Sequence, residues 1–300
     1  MSLLIVGSVA FDTIETPTTS RDNILGGSAT FASVAAAFFH PVQVVAVVGG
    51  DWEKSHTQRL EKRGIDVSGI EIVKDGKTFR WSGKYLENMN DRETLDTQLN
   101  VLGDFQPKLP DKFRRAKYVL LANGSTKTQH EVVDQLLGPE LVIADTMNLW
   151  INIEHDELLR LMKRIDGLVL NDSEAKMLTG EANTVTAGRK LLTMGPKFVI
   201  VKKGEHGAFF FAEYETYIVP AFPTENLVDP TGAGDSFAGA MLGYIASVGN
   251  TDPETIKRSL AYGAIVAAAA VEGFSIEQLE QLNRDTVEQR MSEFRKMTSF

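Results

Sequence analysis

The chain has 300 residues, of which 43% are hydrophobic and 24% are charged, and its formal net charge is −9. This surplus of negative charge disfavours nucleic acids and anionic membranes as partners, so an anionic ligand requires a local binding device. The absence of cysteine excludes disulfides, thiolate metal sites and cysteine nucleophiles. We expect a cytoplasmic protein, because no secretory pattern opens the sequence and the longest small apolar run, 264–271, is too short to span a bilayer.

Apolar strands alternate with helical segments along the chain. The first strand, Leu3 to Val6, and the second, Val42 to Gly50, flank an alanine-rich helical stretch at 26–39. Further short apolar strands are predicted at 118–122, 141–145, 167–171 and 197–204. Continuous apolar runs indicate a parallel sheet that is covered on both faces. The sequence therefore predicts an α/β fold with a doubly wound, mostly parallel sheet and helices on both faces, where ligands gather at the carboxyl ends of the strands.

The segment 77–86 follows a different pattern, because its side chains alternate between two faces. One face carries the aromatic residues Phe79, Trp81 and Tyr85. This period of two is typical of a strand with only one covered face. We expect a small antiparallel β lid beside the parallel sheet, formed by about 11–25 and 76–103. The alternative is a surface hairpin without a role.

The stretch LVDPTGAGDSFAGAMLGYIA at 227–246 places very small residues directly before an acid. After Gly234 the sequence predicts a helix that is apolar nearly all round and ends at Gly249, so this helix should be buried and central. Its first turn directs unsatisfied N–H groups, from about Gly232 to Asp235, into a pocket. Because glycine permits close approach and a helix N-terminus favours negative charge, these residues predict a local anion site.

Asp235 lies beside this predicted anion site, where an acid is unexpected unless it handles a proton. A hydroxyl that attacks a phosphate loses its proton late in the reaction, and a positioned carboxylate can accept it. The alternative is structural: the small residues form a turn that caps a core helix, and Asp235 complements the helix dipole. This stretch alone leaves both interpretations open.

Four segments in order carry a more specific signal. They are GGSATFASVAAAFF (26–39), LNDSEAKMLTG (170–180), VIVKKGEHGAFFF (199–211) and DPTGAGDSFAGA (229–240). Together they resemble the motifs of the ribokinase-like (PfkB) carbohydrate kinase family, in that family's order and spacing, from about Gly7 to Gly273. Four ordered matches are far more specific than one glycine motif. The resemblance implies a single kinase domain over residues 1–300, and an ATP-dependent phosphotransferase that acts on a hydroxyl of a sugar or related polyol.

The resemblance also implies catalytic roles for the last motif. Asp235 would be the general base on the substrate hydroxyl. The amides of Gly232, Ala233 and Gly234 would form the anion hole for the transferred γ-phosphate. Phosphoryl transfer depends on positioning and charge stabilisation, which a helix terminus and a water-excluding lid can supply.

Nucleotide and metal sites follow from the resemblance as well. ATP would border residues of the second and third motifs, namely Asn171, Glu174, Lys202, Gly204 and Gly207. Glu174 would bind Mg²⁺ through water. Some relatives bind a monovalent cation beside the anion hole, which points here to K⁺ at Asp229 and the carbonyl of Thr231. The sequence has no P-loop of the form G-x-x-x-x-G-K-S/T, so the helix terminus would perform that task.

The substrate pocket is where the chain departs from the family pattern. Asp12 would hold substrate hydroxyls, and Gly26 and Gly27 would give backbone access to the same ligand. Many sugar kinases of the family carry asparagine where this chain has Ala10 and Phe31, so the expected pocket loses hydrogen-bonding groups. Such a loss should change the preferred substrate rather than only weaken binding. Phe31 either stacks against a base or a less polar ring, or packs in the core.

Other polar residues lie at predicted strand ends. Asn123, Asp145 and Asn148 are candidates for replacement contacts to the substrate, and capping or turn roles are the alternative for the last two. Lys202 and Lys203 end an apolar strand, and either at least one of them reaches a phosphate or both are solvated.

Three functions remain to be compared. The first is a sugar or polyol kinase, and the second is a nucleoside kinase on the same scaffold, which Phe31 and the aromatic face of the lid favour. The third is a non-catalytic binding protein that retains the fold, against which the intact GAGD sequence speaks. We expect a small-molecule sugar, polyol or nucleoside as the partner, no nucleic acid or membrane, and a homodimer through the lid.

Overall fold

The apolar runs of the sequence form strands in the computed structural model, which describes residues 2–299. The strands are β1 (Leu3–Val6), β2 (Ala10–Glu15), β3 (Ser20–Gly26), β4 (Val42–Gly49), β5 (Ile65–Val73), β6 (Phe79–Tyr85), β7 (Arg92–Gln98), β8 (Tyr118–Leu121), β9 (Leu141–Asp145), β10 (Gly167–Asn171), β11 (Phe198–Lys202), β12 (Ala208–Ala212) and β13 (Thr216–Val219). The helices are α1 (Ser28–Ala36), α2 (Lys54–Glu61), α3 (Thr126–Gln135), α4 (Asn148–Ile153), α5 (His155–Met162), α6 (Asp172–Thr179), α7 (Thr184–Leu192), α8 (Ala233–Val248), α9 (Pro253–Ala270), α10 (Glu277–Gln281) and α11 (Arg284–Thr298).

Nine strands form one large sheet, in the order β13-β12-β11-β10-β9-β8-β1-β4-β5. The strands from β11 to β5 pair in parallel, and β12 and β13 add an antiparallel edge. Successive residues of β1 enter different hydrophobic cores: Ile5 packs on the side of α1, α8 and α9, whereas Leu4 packs on the side of α5, α6 and α7. The predicted doubly wound, mostly parallel α/β fold is confirmed.

The predicted boundaries differ from the observed ones mainly where glycine intervenes. The helical stretch predicted at 26–39 begins only with α1, because Gly27 has a φ of 93° and lies outside the helix. The strand predicted at 197–204 ends at Lys202, because the chain turns into a short 3-10 helix at Gly204–His206. Among residues 2–299, no helix combines the length and apolar character needed to cross a bilayer. The cytoplasmic location stays a prediction.

A second, small sheet contains four strands in the order β3-β2-β6-β7. The β2–β3 and β6–β7 pairs are antiparallel hairpins, but β2 and β6 pair in parallel. The small sheet therefore consists of two antiparallel hairpins side by side. The parallel junction has a simple cause: β2 follows β1 and β6 follows β5, and these two strands of the large sheet run in the same direction.

Helix α8 packs unusually close to α1. A Cβ at Gly239 would lie 2.1 Å from the backbone oxygen of Ala32, and one at Gly243 would lie 2.7 Å from that of Ala36. Only glycine permits this approach of two helix backbones. The close packing fixes the axis of α8 and brings its first turn to the end of β11.

Candidate active site

The turn before α8 forms the centre of the candidate site. Gly232 is the N-cap of α8 and has a left-handed φ of 77°, a conformation that favours glycine. A Cβ at this position would lie 2.3 Å from the ring of Phe31. That ring is 2% exposed and belongs to the core, so of the two alternatives for Phe31 the structure favours packing over stacking on a substrate. The ring of Phe31 therefore packs against the turn before α8.

Lys202 adds a positive charge to this turn. Its Nζ donates a hydrogen bond of 2.8 Å to Oδ2 of Asp145, and the two side chains are only 16% and 4% exposed. A Cβ at Gly234 would lie 2.9 Å from Nζ of Lys202, so the ammonium group adjoins the backbone of the predicted anion hole. Burial opposes this charge, but Asp145, Glu174 and Asp235 outweigh burial and raise the pKa of Lys202.

Asp235 lies in the first turn of α8, as the sequence predicts. Burial raises its pKa to about 7, and the charge of Asp145 adds to this shift, whereas Lys202 and Arg92 oppose it. A carboxyl group with a pKa near neutrality can both accept and release a proton at physiological pH. The structure thus places a candidate base beside the helix terminus.

Asp12 is the second acid of the site and lies on β2, with 4% exposure. A Cβ at Gly26 would lie 1.8 Å from Oδ2 of Asp12, so only glycine leaves room for this carboxyl group. Burial raises the pKa of Asp12 to about 8, with contributions from the charges of Asp229 and Asp235, while the backbone N–H of Gly27 lowers it. The predicted acceptor residues and the predicted base therefore share one site.

Asp229 lies beneath the same turn and is 1% exposed. Its Oδ1 accepts a hydrogen bond of 2.9 Å from the backbone N–H of Thr231. Its Oδ2 is buried and has no hydrogen-bond partner among the described residues. Burial raises the pKa of Asp229 to about 6 against the hydrogen bonds from Thr231. A buried carboxylate oxygen without a partner is suited to a cation.

Asn171 and Glu174 form a capping box at the start of α6. Glu174 N donates 2.8 Å to Oδ1 of Asn171, and Asn171 N donates 2.8 Å to Oε2 of Glu174. Burial raises the pKa of Glu174 to about 7, although the charge of Lys202 lowers it. The capping box explains the spacing of the two residues on structural grounds alone. Their roles toward nucleotide and Mg²⁺ stay predictions.

The loop after β11 contains two glycines with positive φ, 54° at Gly204 and 83° at Gly207. A Cβ at Gly207 would lie 2.0 Å from the backbone oxygen of Val219, so the fold itself requires this glycine. The ammonium group of Lys203 lies 4.6 Å from the ring centroid of Phe209, away from Lys202. Of the two adjacent lysines, only Lys202 reaches the predicted anion site.

The remaining polar candidates have different partners. Oδ1 of Asn123 accepts 3.1 Å from Nε1 of Trp150, and its Nδ2 donates 3.1 Å to Sδ of Met147. Oδ1 of Asn148 accepts 3.0 Å from the backbone N–H of Leu149, the next residue in the first turn of α4, although Asn148 is not the N-cap of that helix. The structure therefore holds Asn123 in place but gives Asn148 no contact with the site residues.

Two features of the site were not predicted from the sequence. One is the pairing of Asp145 with Lys202, for which a signal existed: each residue ends an apolar strand, and β9 and β11 both neighbour β10. The other is the contact between the hydroxyls of Tyr85 and Thr231, 3.0 Å apart, which joins the small sheet to the turn before α8. No local sequence pattern indicates that contact.

Comparison with known proteins agrees with this geometry. The model of the pfkB family of carbohydrate kinases matches residues 3–278. A cytidine kinase of Thermococcus kodakarensis is 29% identical over 252 residues, covering 81% of this chain and 88% of the relative. A nucleoside kinase of Burkholderia thailandensis, solved in complex with inosine, aligns with a TM-score of 0.80 at 19% identity over 100% of this chain and 99% of its own.

A protein from E. coli assigned as a ribokinase II, solved with ATP and Mg²⁺, aligns with a TM-score of 0.78 at 20% identity over 97% of this chain and 99% of its own. The two solved structures support the fold, and the family match spans both the large sheet and the turn before α8. The chain therefore belongs to the pfkB family of carbohydrate kinases and is a small-molecule kinase of that family.

Proposed function

We propose that this protein is an ATP-dependent kinase that phosphorylates a hydroxyl of a nucleoside. One observation carries the proposal: Asp235, with its pKa near 7, lies at a glycine-lined helix terminus beside Lys202 and within the electrostatic influence of Asp12. A nucleoside is favoured over a free sugar because the relative that aligns over 81% of the chain is a cytidine kinase. The solved nucleoside kinase with inosine supports the same acceptor class.

The acceptor side of the proposed site is built around Asp12. Its carboxyl group can bind paired hydroxyls of a ribose ring, and it occupies the space that the absence of a side chain at Gly26 leaves. Asp235 accepts the proton of the attacking hydroxyl. The hydroxyl oxygen then forms the new bond to phosphorus, and the bond from phosphorus to the leaving ADP oxygen breaks.

The phosphate side is built around the first turn of α8. The N–H groups of Gly232 and Gly234 have no partners within the helix and can donate to the oxygens of the transferred group, whereas that of Ala233 donates 3.2 Å to the backbone oxygen of Pro230. Lys202, held by Asp145, supplies a full positive charge directly beside Gly234. Fixed donors in a partly buried site stabilise developing charge more than solvated ones do.

Two cations fit residues of this site. Glu174 is 6% exposed, and its carboxylate is suited to hold the water shell of Mg²⁺, which would neutralise phosphate charge when bound. The partnerless Oδ2 of Asp229 and the carbonyl of Thr231 are suited to a monovalent cation such as K⁺. A cation at Asp229 would compensate a buried negative charge beneath the anion hole.

We further propose that residues 1–300 form one kinase domain in which the small sheet acts as the lid. The Tyr85–Thr231 hydrogen bond supports this role, because it joins the lid to the turn that would hold the phosphate. The observed strands of the small sheet lie within 10–26 and 79–98, close to the predicted lid segments. A homodimer through the lid stays a prediction.

The test is a product assay with purified protein, ATP and Mg²⁺. Cytidine, inosine, ribose, fructose and myo-inositol would be offered separately, with ADP release and the mass of the phosphorylated product as readouts. Asp235→Asn is the matched control for contaminating kinases. We expect a nucleoside to have the highest kcat/KM. If no acceptor yields product above the Asp235→Asn background, the proposed function is wrong.

A further inference from the structure

The β6–β7 hairpin carries a cationic residue, Arg92, that has no role in the mechanism above. Arg92 begins β7 and is the direct cross-strand partner of Tyr85. Side chains of directly opposed residues project from the same face of a sheet. The hydroxyl of Tyr85 lies 3.0 Å from that of Thr231, so this face of the hairpin meets the turn before α8. Arg92 is thereby brought to the edge of the phosphate side.

The hairpin also contains a support for the guanidinium group. A Cβ at Gly83 would lie 2.1 Å from the indole of Trp81, so the ring occupies the space that a side chain would fill. Nε1 of Trp81 lies 3.4 Å from Oγ1 of Thr94, which orients the ring. Cζ of Arg92 lies 5.6 Å from the centroid of this ring, within the range of a cation–π contact. The ring of Trp81 thus packs against Gly83 and also contacts the guanidinium group of Arg92.

The hairpin is anchored on two sides of the site. At its tip, Nδ2 of Asn90 donates 3.0 Å to Oε1 of Glu205, in the loop after β11. Next to the same tip, at the end of β6, Tyr85 contacts Thr231. One anchor is on the predicted nucleotide side and the other is at the anion hole. A side chain that projects between them lies over the path along which a phosphoryl group would pass.

The charge of Arg92 acts in that same space. It lowers the pKa of both Asp235, on α8, and Glu174, on α6. Among the described residues no carboxylate forms an ion pair with Arg92, so its guanidinium donors are available to an anionic ligand. Arg92 lies on an exposed strand beside several buried carboxylates, and a cation with free donors in such a place is suited to an added anion.

We propose that Arg92 is a further catalytic residue, whose guanidinium group contacts the transferred phosphoryl group and stabilises its negative charge. This inference rests on the proposed function. Lys202 supplies charge from the end of β11, and Arg92 supplies it from the hairpin on the other side. The planar guanidinium can donate two parallel hydrogen bonds to phosphate oxygens and takes no proton in the reaction. The full set of charges is present only when the hairpin is docked.

The test compares substitutions on the two faces of the hairpin. Arg92→Met keeps an unbranched apolar stem and removes the charge, whereas Arg92→Lys keeps the charge without the fork. Lys84→Met is the matched control, because Lys84 is the exposed neighbour of Tyr85 on the opposite face. We expect Arg92→Met to lower kcat by about 10²–10³-fold, the range for removal of one fixed donor, with a much smaller change in the KM of the acceptor. Arg92→Lys should recover part of this loss, and Lys84→Met should stay within about twofold of the unmodified protein.

A pH profile separates this role from a structural one. The charged groups that act on Asp235 are Asp145, Lys202, Asp12 and Arg92. Because Arg92 lowers the pKa of Asp235, its removal should shift the acid limb of kcat to higher pH, and Lys84→Met should leave that limb in place. A kcat of Arg92→Met within about threefold of the unmodified protein, with an unshifted limb, would overturn the inference while the proposed function stands. An unmodified protein that phosphorylates no acceptor would overturn both.

Discussion

The two sides of the candidate site are held by different kinds of interaction. On the α8 side, backbone-to-backbone packing at Gly239 and Gly243, and the core ring of Phe31, fix the turn of the proposed anion site. On the hairpin side, every residue of β7 is exposed, and two hydrogen bonds of 3.0 Å join the hairpin to the rest of the site. Close packing tolerates little displacement. The Asn90–Glu205 contact is exposed and the buried Tyr85 contributes a single hydrogen bond, so the hairpin can open at a smaller cost. From this difference we expect permanent charge stabilisation by α8 and conditional closure by the hairpin.

Removal of the candidate base is expected to have the largest effect. Asp235→Asn should lower kcat by about 10²–10⁴-fold, because the attacking hydroxyl loses its proton acceptor. Binding of an ATP analogue, measured by calorimetry, should be nearly unchanged. Near-normal turnover would show that Asp235 only complements the dipole of α8.

The two adjacent lysines test whether the fixed side supplies charge. Lys202→Met should lower kcat/KM for ATP by about 10²-fold, because a buried charge beside Gly234 is lost. Lys203→Met is the matched control, since Lys203 lies over Phe209, and it should change kcat/KM by less than about twofold. Equal losses in both variants would mean that the lysines act through general surface charge.

The pH dependence tests the state of the fixed carboxylates. The pKa of Asp235 is raised to about 7, so the basic form that accepts a proton disappears as pH falls through this value. We expect kcat/KM to fall at least tenfold for each unit below pH 7, and to level off only above pH 8, where Asp12 with its pKa of about 8 is ionised as well. A profile that stays flat from pH 8 to pH 5 would contradict the raised pKa.

The smallest effect is expected for the hydroxyl of Tyr85, which contributes one hydrogen bond to the docking of the hairpin. Tyr85→Phe removes the hydrogen bond to Thr231 and keeps the ring, so a loss of about 1 kcal/mol is expected in the docked hairpin. KM for the acceptor should rise severalfold while the melting temperature stays within a few degrees. Faster proteolytic cleavage in the hairpin would locate the change there. An unaltered KM would show that this contact does not hold the lid.

Much of the α8 side follows from the sequence because its determinants are local. Gly232, Gly234 and Asp235 lie within one turn, and the helix that follows has a nearly continuous apolar surface. Helix termini bind anions by backbone geometry, which glycine spacing reports directly. Phe31 shows the limit of this reasoning: its aromatic ring suggested a ligand surface or a core position equally, and its contact with Gly232, 201 positions away in the chain, decides for the core.

By itself, the sequence determined the doubly wound fold and the family and predicted the position of an anion site, because apolar runs, glycine positions and motif order are properties of neighbouring residues. Only the tertiary structure decided that β2 and β6 pair in parallel, that Lys202 rather than Lys203 joins Asp145, and that Tyr85 reaches Thr231. Each of these contacts joins residues that are distant in the chain. They depend on the order of strands in the sheets and on the direction in which each strand ends, and local periodicity contains neither.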